Sequence, residues 1–343
     1  MKATIYKGIK QIQLEEIQDP VPGEKDVVVK IVRAGICGTD VHAYLHGGEP
    51  VGILLGNQFG HEMVGFVYTV GSKVEGIEKG LRVFVDPNNR KPCGQGLNPT
   101  QIADMAGAFS EYVLVEEAKI DYNIFILPDE LSFDKAVLIE PLSVATHAVS
   151  RSNLVGGEVA LIYGSGTIGL CVLVALKNSG VKKVIVLDIN QTRLDIAEKL
   201  GAISYNSGNG DSMKYVKKQF GTRTGNADEE TTNVDIVFDA AGAPFIIPEY
   251  LYNAKVLSKL IIIAVHGKEV NFSPYQMLSS ELNIMGSRGY IAKDIIRSIA
   301  ILSDANSVIT PIITHQFCHK DIVEAFAIAA DADKAIKVVI DYN

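Results

Sequence analysis

EVALIYGSGTIGLCVLVALKNSG, residues 158–180, decides the fold. It opens as an apolar run suited to a buried strand, turns at Gly164, Gly166 and Gly169, and continues as an apolar helix. A second apolar run, VIVL, ends in Asp188, about 20 residues past the glycines, the separation a dinucleotide-binding fingerprint requires. Each glycine has its own reason. Gly164 permits the sharp turn, Gly166 lets a pyrophosphate approach the backbone, and Gly169 lets helix and strand pack closely. Thr167 and Ile168 then open the helix, where free N–H groups and the macrodipole favour a phosphate. The plain alternative is a tight turn with no ligand; the strand before, the helix after and the spaced acid argue against it.

Outward from that stretch, strands and helices alternate as in a doubly wound parallel sheet. The strands are VALIYG, KVIVLD, DIVFDAAG, LIIIAVHG and LNIMGS, and RLDIAEKLGA is an amphipathic helix. The polar tracts NSGNGDS and GTRTGNADEETTN read as loop or short exposed helix. Asp188 should accept hydrogen bonds from the adenosine ribose and repel a 2′-phosphate, which points to NAD rather than NADP. Arg193 either lines the adenine side or pairs with Asp195. The backbone at Ala241 and Val265, at the ends of DIVFDAAG and LIIIAVHG, should line the nicotinamide half.

The first 120 or so residues read differently. ATIYKG, VVVKIVRAG, MVGFVYTVG, LRVFVDP and FSEYVLV are short strands separated by turn residues, which suggests a β-rich, partly barrel-like domain. SFDKAVLIEPLSVATHAVSRS has helical spacing, with Ser132 as N-cap and Pro141 restarting the helix near Glu140. After Gly286 come a helix, a strand, a helix and a last strand, AIKVVIDY. That strand has no partner of its own, so it should complete the first domain. The expected domains are residues 1–152 with 286–343, and residues 153–285.

A chain of 343 residues can build two cores of this kind. Its net charge of −8 leaves no basic surplus for nucleic acid or an anionic membrane. No apolar run reaches the ~18 residues of a membrane span, and the N-terminus reads as a strand without an apolar signal core, so a cytoplasmic protein is expected. The four cysteines lie far apart and make no disulfide framework. Cys171 and Cys318 sit in apolar contexts and read as small core residues.

Cys37 belongs to a second constellation. GICGTDVH carries Cys37, Thr39, Asp40 and His42; GHEMVG carries His61 and Glu62; IEPLSVATHA carries Glu140. A thiolate, an imidazole and carboxylates suit a tetrahedral Zn²⁺ site with one open position. No spacing rule makes a site of them, and a core cysteine beside a hydrogen-bonded His–Glu pair stays open on chemistry alone.

The order of these pieces resembles the zinc-dependent medium-chain alcohol dehydrogenase superfamily over essentially the whole chain, through GICGTDVH, GHEMVG, YGSGTIG and the C-terminal segment. The resemblance implies an α/β protein: a Rossmann domain plus a β-rich, GroES-like catalytic domain. It places Cys37, His61, Glu62 and Glu140 at zinc, with Glu140 bound directly or through water. It makes Thr39 the group that hydrogen-bonds the alcohol, His42 a later relay member, and Asp40 the partner orienting the zinc-bound histidine. Tyr44, Phe109 and Glu111 fall at pocket positions. Glu62 and Glu140 look like the polyol and diol branch, giving a ketose from a sorbitol- or xylitol-like alcohol with NAD. Arg288 is displaced by one residue from the Arg-Tyr pair of some polyol enzymes. Oxidation of 2,3-butanediol or threonine is the alternative within enzymes; a non-catalytic dinucleotide sensor is the alternative outside them. Members with a structural zinc carry four close cysteines where this chain has only Cys93, so one catalytic zinc and no structural zinc is expected. A homodimer or homotetramer is implied.

Overall fold

Nine of the ten residues of strand Val27–Ile36 are buried, all but Lys30. Such a continuous run, rather than an alternating one, marks a strand covered on both faces, and the sheet is built around it. The computed structural model describes residues 1–88, 107–224 and 229–342. In it, Val27–Ile36 pairs antiparallel with Glu62–Val70 along its length, with Tyr112–Val115 along its first half and with Lys337–Asp341 along its second. Arg82–Val85 and Ile124–Ile126 extend the sheet on one side, and Ile313–Cys318 closes the other. The last strand thus finds its partner three hundred residues back, at Val338↔Ile36 through Asp341↔Arg33.

Two compact units result, Met1–Pro141 with Ile291–Asn343, and Leu142–Tyr290. The first division falls inside helix Ile139–Arg151, at Pro141, rather than after that helix where the sequence pattern changes. Ser132 caps the short helix Phe133–Ala136 by accepting from the Lys135 amide, and the chain restarts as a helix at Ile139, as Pro141 requires.

The first unit's core centres on Phe59, Phe109 and Phe326, with ring centroids 5.0 to 5.5 Å apart. Edge-on pairs of this kind add about 0.5–1.5 kcal/mol each beyond their buried area. His319 ties the C-terminal segment to this core. Its Nε2 lies 3.1 Å from both the Phe109 carbonyl and Thr4 Oγ1. A carbonyl only accepts, so Nε2 carries the proton. Burial pushes this imidazole below its ordinary value of 6.5. The native state therefore stays neutral where the unfolded chain protonates: stability is full above pH 6.5 and declines as pH falls below it. In His319→Gln, the fall in Tm between about pH 7.5 and about pH 5.5 should be smaller than in the parent; an unchanged fall refutes this assignment.

The second unit is a six-stranded parallel sheet. Across it lie Ile203–Asn206, Lys183–Asp188, Val159–Tyr163, Ile236–Asp239, Lys259–Ile262 and Asn283–Gly286. Numbered in sequence this is the order 3-2-1-4-5-6 of dinucleotide-binding sheets. Helix Thr167–Asn178 is buried continuously from Gly169 to Leu176, which explains its unbroken apolar sequence. Two expectations are corrected. GTRTGNADEETTN contributes two short antiparallel strands, Thr222–Thr224 paired with Glu230–Thr232. Cys318 is exposed at the end of its strand and is no core residue, whereas Cys171 is buried. Among the described residues no helix is long and apolar enough to cross a membrane. Cys93 lies outside the described residues.

Candidate metal centre and dinucleotide turn

Strand register builds the metal centre. Gly35 is the cross-strand partner of Glu62, and a Cβ at Gly35 would stand 1.9 Å from Glu62 Oε2. Only glycine leaves room for that carboxylate to lie across the strand. From the other neighbouring strand comes Lys337, 2 % exposed, with Nζ 2.6 Å from each Glu62 oxygen and 3.0 Å from the Ile36 carbonyl.

Cys37 follows strand Val27–Ile36 directly and is the N-cap of helix Gly38–His46. Its amide donates to Asp40 Oδ2 at 2.9 Å, so the first helical turn fixes the sulfur's position. Thr39 Oγ1 lies 3.8 Å from Cys37 Sγ. One donor atom each from Cys37, His61 and Glu62 falls within 4.8 Å of the others. Asp40 is wholly buried; its Oδ1 stands 3.7 Å from His61 Nδ1 and makes no hydrogen bond. Glu140 is buried in the first turn of its helix.

Two features make this a candidate cation site. Burial pulls the His61 imidazole down, yet Cys37, Asp40 and Glu140 outweigh it and hold the ring well above its usual range. Burial also works against charge on Lys337, and Glu62, Cys37 and Glu140 again win. Burial raises Asp40, opposed by His61 and the Cys37 amide. A pocket that forces protons onto its bases in this way is short of positive charge. The second observation is the donor set itself: a thiolate, an imidazole and carboxylates are borderline-soft ligands suited to Zn²⁺. The orphaned Asp40 Oδ1, 3.7 Å from His61 Nδ1, stands where the outer partner of a metal-bound histidine would stand.

The remaining candidates of this unit separate. His42 is exposed and its ring lies 5.1 Å from that of His46. Tyr44 is half-buried and packs on Phe326 at 5.6 Å. Phe109 is wholly buried among aromatic rings and offers no open surface, so it supports the core rather than walling a pocket. The Glu111 carboxylate accepts from the Lys2 amide at 2.7 Å.

In the second unit the glycine turn has the expected geometry. Gly164 has φ +96°, and a Cβ there would press on the Ala240 backbone at 3.1 Å. A Cβ on Gly169 would stand 1.9 Å from the Gly164 carbonyl. At Gly166 the space is open but for Arg193 Nη1, 3.7 Å from the Cβ position, so a guanidinium lies over the turn; Asp195 instead accepts from Gln191. Thr167 and Ile168 begin the helix. Asp188 does more than wait for a ribose. Its Oδ2 accepts from the amide and hydroxyl of Ser165 at 2.6 and 2.7 Å, and its Oδ1 from the amides of Ile189 and Asn190 at 2.7 and 2.9 Å. These fill the roughly four acceptor sites of a carboxylate and lock the turn to the strand beside it. Ala241 and Val265 are exposed beyond their strands, Val265 by 93 %, and Arg288 is exposed.

Two contributors carried weak sequence signals. Lys337 is a lone cation in the apolar strand AIKVVIDY, a pattern that announces a buried charge in need of a partner. Ser165 is the unremarked residue between two fingerprint glycines.

Comparison with known proteins agrees with this geometry. The model of the alcohol dehydrogenase GroES-like domain matches residues 23–124, and that of the zinc-binding dehydrogenases matches residues 167–304. The chain is 32 % identical over 308 residues to (R,R)-butanediol dehydrogenase of Bacillus subtilis (strain 168), covering 84 % of this chain and 85 % of that protein. It is 30 % identical over 306 residues to sorbitol dehydrogenase of the same strain, covering 83 % and 81 %. The crystal structure of 2R,3R-butanediol dehydrogenase from Bacillus subtilis superimposes with a TM-score of 0.87 at 27 % identity, over 100 % of this chain and 99 % of that one.

Proposed function

From the premise that the chain belongs to the zinc-dependent medium-chain alcohol dehydrogenase superfamily of oxidoreductases, we propose that it oxidises a secondary alcohol bearing a neighbouring hydroxyl, with NAD as acceptor and one zinc per chain. The observation that carries this reading is the convergence of Cys37, His61 and Glu62 on one point, with Glu140 near enough to act on His61 electrostatically. These four residues would hold the metal. The first unit, residues 1–152 with 286–343 on the sequence boundaries, is the catalytic domain; residues 153–285 bind the dinucleotide. With four cysteines in the whole chain, no second, four-cysteine site can be assembled beside Cys37.

When bound, zinc would lower the pKa of the substrate hydroxyl and NAD would take up the hydride. The chain's own residues do the rest. Asp40 holds the Cys37 amide on one oxygen and faces His61 Nδ1 with the other, which fixes both ligands in register. Thr39 Oγ1, beside the sulfur, takes the hydroxyl proton of the substrate as it gives up its own toward His42. His42, one helical turn on and exposed, exchanges that proton with water. Gly166 and the helix start at Thr167 and Ile168 take the pyrophosphate, with Arg193 over it. The Asp188 carboxylate disfavours a 2′-phosphate, so NAD is preferred over NADP; a ribose hydroxyl enters by displacing the rotatable Ser165 hydroxyl.

Carboxylates at two ligand positions favour a sugar alcohol, with Tyr44 and Arg288 as candidate contacts. The similarity to a butanediol dehydrogenase supports 2,3-butanediol as the second reading. The two part in a screen of NAD reduction over sorbitol, xylitol, 2,3-butanediol, threonine and primary alcohols, run on protein of measured zinc content. Turnover of a sugar alcohol or diol with close to one equivalent of zinc is expected. Activity on primary alcohols alone, or zinc below about half an equivalent after purification in zinc-containing buffer, overturns the proposal.

A further inference from the structure

The Rossmann unit pairs a half-buried imidazole with a wholly buried carboxylate, and the glycine turn does not explain the pair. Asp239 ends the fourth strand and is wholly buried. Its Oδ1 accepts from the amides of Ala241 and Gly242 at 3.0 and 2.8 Å, and its Oδ2 lies 2.6 Å from His266 Nε2. With both oxygens engaged as acceptors, Asp239 is the acceptor toward the ring, and His266 Nε2 carries the proton. That leaves Nδ1, in the neutral ring, as an acceptor. Nδ1 is buried and has no hydrogen-bond partner, although buried polar atoms are nearly always paired.

The loop that carries His266 is fixed. The amides of Ile263 and Ala264 both donate to the Asp239 carbonyl at 3.0 Å, and a Cβ on Gly242 would stand 2.7 Å from the Val265 carbonyl. A ring held this firmly, with one nitrogen satisfied and one not, is shaped for a ligand donor. Its place says which donor. In the order 3-2-1-4-5-6, ligands lie beyond the carboxyl ends of the strands and each half-sheet takes one mononucleotide. Asp188, at the end of the second strand, marks the adenosine half. Asp239 and His266 follow the fourth and fifth strands, in the other half.

We propose that His266, oriented by Asp239, accepts a hydrogen bond at Nδ1 from the carboxamide NH₂ of the nicotinamide ring. The inference rests on the NAD reading and assigns to a side chain what the sequence left to the backbone near Ala241 and Val265. It predicts selectivity for a cofactor bearing an amide over one bearing a ketone at the same ring position.

The test is equilibrium binding, by titration of protein fluorescence or by calorimetry, of NADH, the reduced 3-acetylpyridine analogue (which lacks the NH₂) and ADP-ribose (which lacks the ring). The parent should bind NADH roughly tenfold more tightly than the acetylpyridine analogue, as for one neutral hydrogen bond. In His266→Phe that preference should disappear while ADP-ribose affinity stays within about twofold. Equal affinity of the parent for the two dinucleotides overturns the inference without any variant. So does a His266→Phe or His266→Asn protein that keeps the preference, or one that loses ADP-ribose and NADH together, since the pair would then be structural. A parent that binds neither NADH nor ADP-ribose instead sinks the NAD reading itself.

Discussion

Cys37→Ser should lower kcat/KM by at least about 10³-fold, beyond the 10–100-fold typical of residues that only orient a metal ligand. The same protein should retain less than about a tenth of an equivalent of zinc after dialysis, because a serine hydroxyl is no substitute for a thiolate at neutral pH. NADH affinity should be unchanged, since the glycine turn and Asp188 belong to the other compact unit. The fold should also survive: the Cys37 amide, not its sulfur, is what Asp40 caps, and the serine keeps that amide. The measurement is therefore threefold, with metal analysis, steady-state rates and NADH titration on one preparation. Retained oxidation at full zinc content would remove Cys37 from the ligand set.

That experiment separates two parts of the molecule that were unequally legible in the sequence. The dinucleotide turn could be read from residues alone because its determinants are local: three glycines, a strand, a helix and one acid at a fixed distance. Gly164 and Gly169 have no room for a side chain, and steric exclusion leaves a plain mark on a sequence. What stayed hidden there was the second task of Asp188, which depends on a Ser165 hydroxyl reaching across from the neighbouring turn. The edge strand Ile203–Asn206 was also silent, because its residues are half-buried or exposed and give no apolar run.

The metal centre was legible only through resemblance. Cys37 and the His61–Glu62 pair come from two segments whose meeting is set by strand register, which no spacing rule in the sequence expresses, and Glu140 acts on them from a third, a helix. Its supports were harder still. The need for Gly35 arises from a side chain on the next strand, and the partner of Glu62 lies 275 positions away. Phe109 shows the converse error. An aromatic residue at a position associated with pockets turned out to close the core, because Phe59 and Phe326 pack around it.

Lys337→Met should be the most destabilising single change in the centre that leaves every proposed ligand in place. Lys337 and Glu62 are 2 % and 1 % exposed and meet at 2.6 Å. Removing one member of such a pair leaves an uncompensated buried charge, which costs about 3–5 kcal/mol. For a domain of this size that is a fall in Tm on the order of 10 °C. Chelator-treated protein should be used for the comparison, because bound metal would add its own stabilisation to the native state. The cost lies in the stranded carboxylate rather than in the lost methylene packing, and Met keeps most of the latter. Adding Glu62→Gln to Lys337→Met should therefore recover at least half of the lost Tm, whereas the two changes would simply add if they were independent. Gln fits the same space above Gly35, so the rescue tests charge and not shape. A Lys337→Met protein as stable as its parent would mean that Glu62 already has another counter-charge in the chain. Absence of rescue in the double variant would mean that packing, and not the ion pair, holds Lys337 in the sheet.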